Sequence, residues 1–237
     1  MTKASLKYKF IGKSVWIEKE KVLVIADLHI GYEESLNLGL RSQYKEIIRD
    51  MEKIFEEINE KLVKEIIILG DLKHELGRVS EQEWKEVYDF LEYLEGKCEK
   101  IVLVKGNHDN ILGVIAEKKK IEVKEYYVLG EYGFLHGDKR KDFGKEIKVI
   151  FLGHLHPAVT LQEEAKRESY KCFLVGKFEG KEIVILPSFF PLIEGSEVRI
   201  EDNNLDFGLD LEKCEVFVPS DREILDFGKV HDIGRLD

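Results

Sequence analysis

Five short segments carry the residue types that bind metal ions or move protons, and each follows an apolar run. Val22–Ala26 leads into Asp27 and His29, and Ile66–Leu69 into Gly70, Asp71 and His74. Ile101–Val104 leads through Lys105 into Gly106, Asn107, His108 and Asp109. Phe134–Leu135 leads into His136, Gly137 and Asp138, and Val149–Leu152 into Gly153, His154, Leu155 and His156. Six of the seven histidines lie in these segments, and the seventh, His231, stands near the C-terminus without such neighbours. Singly, each segment has an ordinary reading: a Gly-Asp pair after a strand is a turn, and a lone histidine is more often structural than catalytic. Together they form a donor set of carboxylates, an amide and imidazoles, without a thiolate. Such N/O donors suit Mn, Fe, Zn, Co or Ni rather than Ca or a soft-metal cluster. The set is too large for one ion with an open position. A carboxylate is the natural bridge between two ions, and two ions about 3.5–4 Å apart clamp phosphorus for in-line displacement. Two divalent ions outweigh two aspartates, which leaves net positive charge for a phosphate.

Segments scattered over so much sequence can act together only if the fold brings them to one edge. The runs at 22–26, 66–69, 101–104 and 149–152 are continuously apolar, as in strands covered on both faces. Between the first two lies a helix-period series, Tyr44, Ile47, Ile48, Met51, Ile54, Phe55 and Ile58. Between the next two lies another, Trp84, Val87, Tyr88, Leu91 and Leu94. Ser80 with Glu83 predicts a capping box at the start of the second helix, and Gly96 closes it. Strands alternating with helices indicate a parallel sheet, and ligands bind beyond the carboxyl ends of such strands. After about residue 120 short strands are expected at 126–129, 132–135, 158–161, 171–177, 182–186 and 198–200, in an antiparallel arrangement. The fold class is therefore α/β: two sheets packed face to face with helices outside. No Pro/Gly/Ser-rich seam or repeat divides the chain, so residues 1–237 are expected to form a single domain.

Composition narrows the function. Of 237 residues, 43% are hydrophobic, enough for a large core. Charged residues make up 35% and the net charge is -10, which argues against non-specific coating of nucleic acid. It leaves room for an enzyme that grips phosphate through metal ions. Cys98, Cys172 and Cys214 are odd in number and far apart, so a reducing, cytoplasmic setting is expected. The N-terminal segment lacks a signal-type apolar core, and no apolar run has the length of a membrane span.

The motifs D-x-H (Asp27, His29), G-D (Gly70, Asp71), G-N-H-D (Gly106 to Asp109), a later His (His136) and G-H-x-H (Gly153 to His156), in this order, resemble the calcineurin-like metallophosphoesterase superfamily. The resemblance implies a four-layer α/β/β/α sandwich and a two-metal phosphoesterase. It further implies that Asp27, His29 and His156 hold one ion and that Asn107, His136 and His154 hold the other. Asp71 bridges them, and a solvent molecule between the ions attacks phosphorus. His108 is not a ligand; it approaches the phosphate and serves as general acid. Asp109 orients its segment or, preferentially, caps the following helix. Mn is the expected metal, with Fe, Zn, Ni and Co as alternatives.

Within the superfamily, His74, three residues after Asp71, is similar to a histidine of the Mre11/SbcD repair nucleases and becomes a second catalytic candidate. The stretches ADLHIGYE and LPSFFPLIEG resemble smaller SbcD/Mre11-related phosphoesterases. The expected substrate is thus a phosphodiester in DNA or RNA. Two rivals stand beside it: hydrolysis of cyclic nucleotides or other small phosphoesters, and a noncatalytic metal-binding scaffold. No membrane partner is expected, and self-association into a homo-oligomer is compatible with the sequence. Lys139-Arg140-Lys141 could grip a nucleic-acid backbone. Lys118-Lys119-Lys120 reads as solvated surface, and Phe189-Phe190 as packing.

Overall fold

Strands that are apolar on both faces need cover on both. The computed structural model, which describes residues 7–36, 42–59, 62–75, 80–109, 113–163, 166–199, 208–221 and 223–233, supplies it with two mixed sheets and a layer of helices. The first sheet runs β1 (Lys9–Ile11), β2 (Ser14–Ile17), β3 (Val22–Ile25), β4 (Glu65–Leu69), β5 (Lys100–Val104) and β6 (Glu122–Lys124), in that spatial order. From β3 to β6 the pairing is parallel. The β1–β2 hairpin, missed as strand in the sequence, adds an antiparallel edge. Helices α1 (Tyr32–Ser35), α2 (Ser42–Ile58), α3 (Glu81–Glu95) and α4 (Gly113–Lys119) fill the connections.

Alternation along each strand sorts the core into layers. Leu23, Ile25, Ile66, Ile68, Ile101 and Leu103 meet Ile47, Met51, Phe55, Phe90 and Leu91 of α2 and α3. Their sequence neighbours Val22, Val24, Ile67, Leu69, Val102 and Val104 turn the other way, onto Phe134, Phe151, Phe173 and Val184 of the second sheet. That sheet contains β7 (Tyr127–Leu129), β8 (Tyr132–Leu135), β9 (Val149–Leu152), β12 (Phe173–Phe178), β13 (Lys181–Ile185), β15 (Glu215–Pro219) and β16 (Ile224–Lys229). Its far face is covered, among the described residues, by a small sheet of β10 (Pro157–Glu163), β11 (Lys166–Lys171) and β14 (Ser196–Glu197), by the loop carrying Phe143 and Ile147, and by short 3-10 turns. The outer layer on this side is thus built without a long α-helix. No helix among the described residues is long and apolar enough to cross a membrane.

The second half is not purely antiparallel. β8 pairs with β9, and β9 with β13, in parallel. β8 is followed by His136 and β9 by His154, and strands running the same way bring both C-terminal ends to one edge. The strand expected at 198–200 is instead the two-residue β14, with Val198 and Arg199 in a turn; residue 200 lies outside the described residues.

Candidate active site

Past the ends of β3 and β4 the backbone pairing continues irregularly. Asp27 N donates to Gly70 O (3.2 Å), His29 N to Asp71 O (2.9 Å) and Ile30 N to Leu72 O (3.0 Å). These bonds set the two aspartates side by side. From the second sheet, His154 N donates to the Asp27 carboxylate (2.9 Å to Oδ2), and Gly153 N donates to His136 O (2.8 Å). His108 N donates to Asp71 Oδ1 (2.9 Å). Behind the loops, Phe189 N and Phe190 N donate to Ala26 O and Asp27 O (2.8 and 3.1 Å), and both phenyl rings are buried.

The glycines of the motifs permit this crowding. A Cβ on Gly70 would stand 2.7 Å from Gly106 Cα, one on Gly153 would stand 2.8 Å from Asp27 Oδ2, and one on Gly106 would fall on the Asp71 carboxylate. Asp27, His29, Asp71, His154 and His156 all have positive φ, between 46° and 67°. Non-glycine residues seldom adopt this conformation, and it concentrates where the surrounding structure enforces it at functional sites.

All nine residues singled out in the sequence meet in this crevice. Donor atoms of Asp27, His29, Asp71 and His156 lie within 4.8 Å of one another, as do those of Asp71, His136 and His154. Asn107 Oδ1 joins the second group, 3.0 Å from His136 Nε2. Asp71 belongs to both groups. His74 and His108 stand beside the first, with ring centroids 5.5 and 4.9 Å from that of His29.

The donor set fits cations. Asp27 and Asp71 are buried, and among the described residues their ion-pair partners are imidazoles only. His136 Nδ1 donates to Leu69 O (2.8 Å). A neutral His136 therefore turns a bare Nε2 lone pair toward Asn107 Oδ1, His154 Nδ1 (3.1 Å) and Asp71 Oδ2 (3.5 Å). Acceptors facing acceptors are satisfied together by a positive ion, and the Leu69 contact is the usual outer hydrogen bond of a ligating histidine.

Burial and neighbouring charge shift these groups in both directions. Burial would raise the Asp27 carboxyl, but His156, His136 and His29 around it hold it below its ordinary range. Burial and neighbouring Asp27 raise Asp71 despite His136. Burial pushes His29 down to about 3, and it lowers His154 with help from His136; both shifts favour the neutral imidazole that a metal ion requires. His136 moves up: burial opposes its charge, but the carboxylates of Asp27 and Asp71 win.

Some expectations change. For Asp109 the orienting role is visible: its buried carboxylate accepts from Gly106 N (2.9 Å) and Leu72 N (3.1 Å), tying the Asn107 loop to the Asp71 loop. Residues 110–112, where a cap would act, lie outside the described residues. Within the basic run 139–141, Arg140 pairs with Glu179 over Phe178, and Lys141 lies over Tyr126. Lys119 pairs with Glu95. His231 is remote and binds Glu212 O. Sequence reading missed Gln43, whose buried amide donates to His29 O (2.7 Å) and Leu28 O (3.3 Å). Nothing in a helical glutamine announces this.

Comparison with known proteins follows the geometry. A family model described as calcineurin-like phosphoesterase matches residues 20–217. No curated protein matches the chain. The fold is that of the nuclease MPE of Pseudomonas putida, at 21% identity and a TM-score of 0.63, over 90% of this chain and 96% of that one. Weaker likenesses are a Vps29 double mutant from Entamoeba histolytica and a Streptococcus pneumoniae protein described as a predicted phosphoesterase. The first has 17% identity, TM-score 0.34 and coverage of 87% and 99%; the second has 16%, 0.33, 88% and 97%.

Proposed function

Because this chain belongs to the calcineurin-like phosphoesterase family and is a metal-dependent phosphoester hydrolase, we propose that it cleaves phosphodiesters of nucleic acid with two divalent ions, Mn foremost. The observation that carries this is the position of Asp71, common to two donor groups and bonded to the backbone of His108. Asp27, His29 and His156 would hold one ion and Asn107, His136 and His154 the other, with Asp71 between them. Bound there, the ions would neutralise the phosphate and activate water.

The remaining work falls to the protein's own groups. Asp71 fixes the His108 loop by accepting its N–H. The His108 ring hydrogen-bonds through Nδ1 to His74 O. Since a carbonyl only accepts, Nδ1 carries the hydrogen and Nε2 is left facing the crevice. In the imidazolium form, Nε2–H gives its proton to the leaving oxygen. His74 stacks on His108 with centroids 5.6 Å apart and has a donor atom within 4.8 Å of those of His29 and His108, so its imidazole stands where it would meet a second phosphate oxygen. A histidine in this place and the nuclease of like fold support the nucleic-acid reading, and with it an SbcD/Mre11-related assignment.

One observation favours a small-molecule diester instead: within the basic run 139–141, Arg140 is paired with Glu179 and Lys141 lies over Tyr126, so two of its three cations already have partners. A Mn-loaded substrate panel decides. Cleavage of single- or double-stranded oligonucleotides well above cyclic nucleotides and mononucleotides is expected. Preference for cyclic nucleotides would establish the second reading, and inertness toward every diester would leave a metal-binding scaffold.

A further inference from the structure

The motif Ser80-x-x-Glu83 predicts a reciprocal capping box, but only half of it is made. Ser80 Oγ accepts from Glu83 N (3.0 Å), as a helix N-cap should. The Glu83 carboxylate is turned elsewhere: a single oxygen, Oε1, accepts from His74 N and Glu75 N, both at 2.9 Å. Glu83 is 2% exposed and crosses beneath the His29 loop to get there. Gly31 makes room, since a Cβ on it would stand 2.5 Å from Glu83 Cγ. Lys73, 1% exposed, grips the same turn from its carbonyl side by donating to Glu75 O. The turn is thus clamped at its amides by a buried carboxylate and at its carbonyl by a buried ammonium. The His74 ring packs against the rings of Tyr32, His29 and His108, and among the described residues nothing hydrogen-bonds its buried Nδ1, so the backbone turn sets the direction from which the ring enters this packing.

We propose that Glu83 is a positioning residue that sets the His74 imidazole over the reacting phosphate by holding the His74–Glu75 turn. This rests on the reading of His74 given above and adds the element that aims it. A glutamate that merely fills space at the start of α3 would satisfy the same burial, so the test separates reach from charge. In Glu83→Gln the amide oxygen can accept both N–H groups. In Glu83→Asp the charge and the helix-start preference remain, but the side chain is one methylene short.

The expected order in kcat for a diester is wild type, then Glu83→Gln close to it, with Glu83→Asp and Glu83→Ala lower by roughly tenfold or more, as for other supporting hydrogen bonds. Metal content by elemental analysis stays constant. Hydrogen exchange of the His74 and Glu75 amides speeds up in the Asp and Ala variants and not in Gln. On a His74→Ala background, Glu83→Asp adds less than twofold. Full activity in Asp with loss in Gln, unchanged amide exchange, or an equal loss in both backgrounds would overturn the proposal. If the exchange pattern is as expected while His74→Ala leaves every diester unaffected, the role of His74 falls and the clamp on its turn stands.

Discussion

At the scale of the residue, what separates these histidines is the partner that fixes each ring. His136 spends Nδ1–H on Leu69 O and His108 spends its own on His74 O, so the same tautomer gives one a lone pair for a cation and the other a site for a transferable proton. A general acid contributes roughly 10²–10⁴-fold. His108→Ala should therefore lower kcat by that factor while elemental analysis finds the metal complement unchanged; loss of metal would make His108 a ligand. The donor types were legible in the sequence because their motifs are short and contiguous. The supporting groups were not. Gln43 reaches His29 O from α2, and the Asp109 carboxylate, expected only within its own segment, also reaches Leu72 N 37 residues away; contacts across such separations carry no local signal.

At the scale of the element, legibility followed hydrophobicity. β3, β4 and β9 are uniformly buried, as is β5 beyond Lys100, and they were plain as apolar runs. β15 alternates buried with half-buried positions, β16 has no buried position, and β11 reads KRESYK, so no continuous apolar run announces them. Strand direction was hidden too, since nothing in the runs says that β8 and β9 are parallel. β14 is short yet firmly held. Burial opposes the charge of Glu197, but hydrogen bonds from Arg199 and Thr160 hold its carboxyl down at about 2. A carboxyl lowered on folding stabilises fully above its unfolded value of about 4.5 and loses that contribution as pH falls toward 2. Urea unfolding followed from pH 5 to pH 2 should thus show a slope that is shallower in Glu197→Gln; equal slopes would mean that this network adds no acid-sensitive stability.

At the scale of the whole molecule, the crevice draws on both sheets. Asp27, His29, Asp71 and Asn107 come from the first, and His136, His154 and His156 from the second. Ions that bind only this assembled arrangement stabilise it by mass action, about 2.7 kcal/mol per site at a hundredfold excess over Kd. Chelation should lower Tm, Mn should restore it, and Asp71→Asn should abolish most of the difference; a Tm indifferent to Mn would mean that the donors do not act together. The straddling of two sheets also bears on how the protein matures. On the ribosome the first sheet's donors emerge long before His154 and His156, and the Phe189–Phe190 strap that backs the Asp27 loop emerges later still. A half-synthesised chain lacks part of the donor set, so the arrangement described here exists only after both sheets have docked.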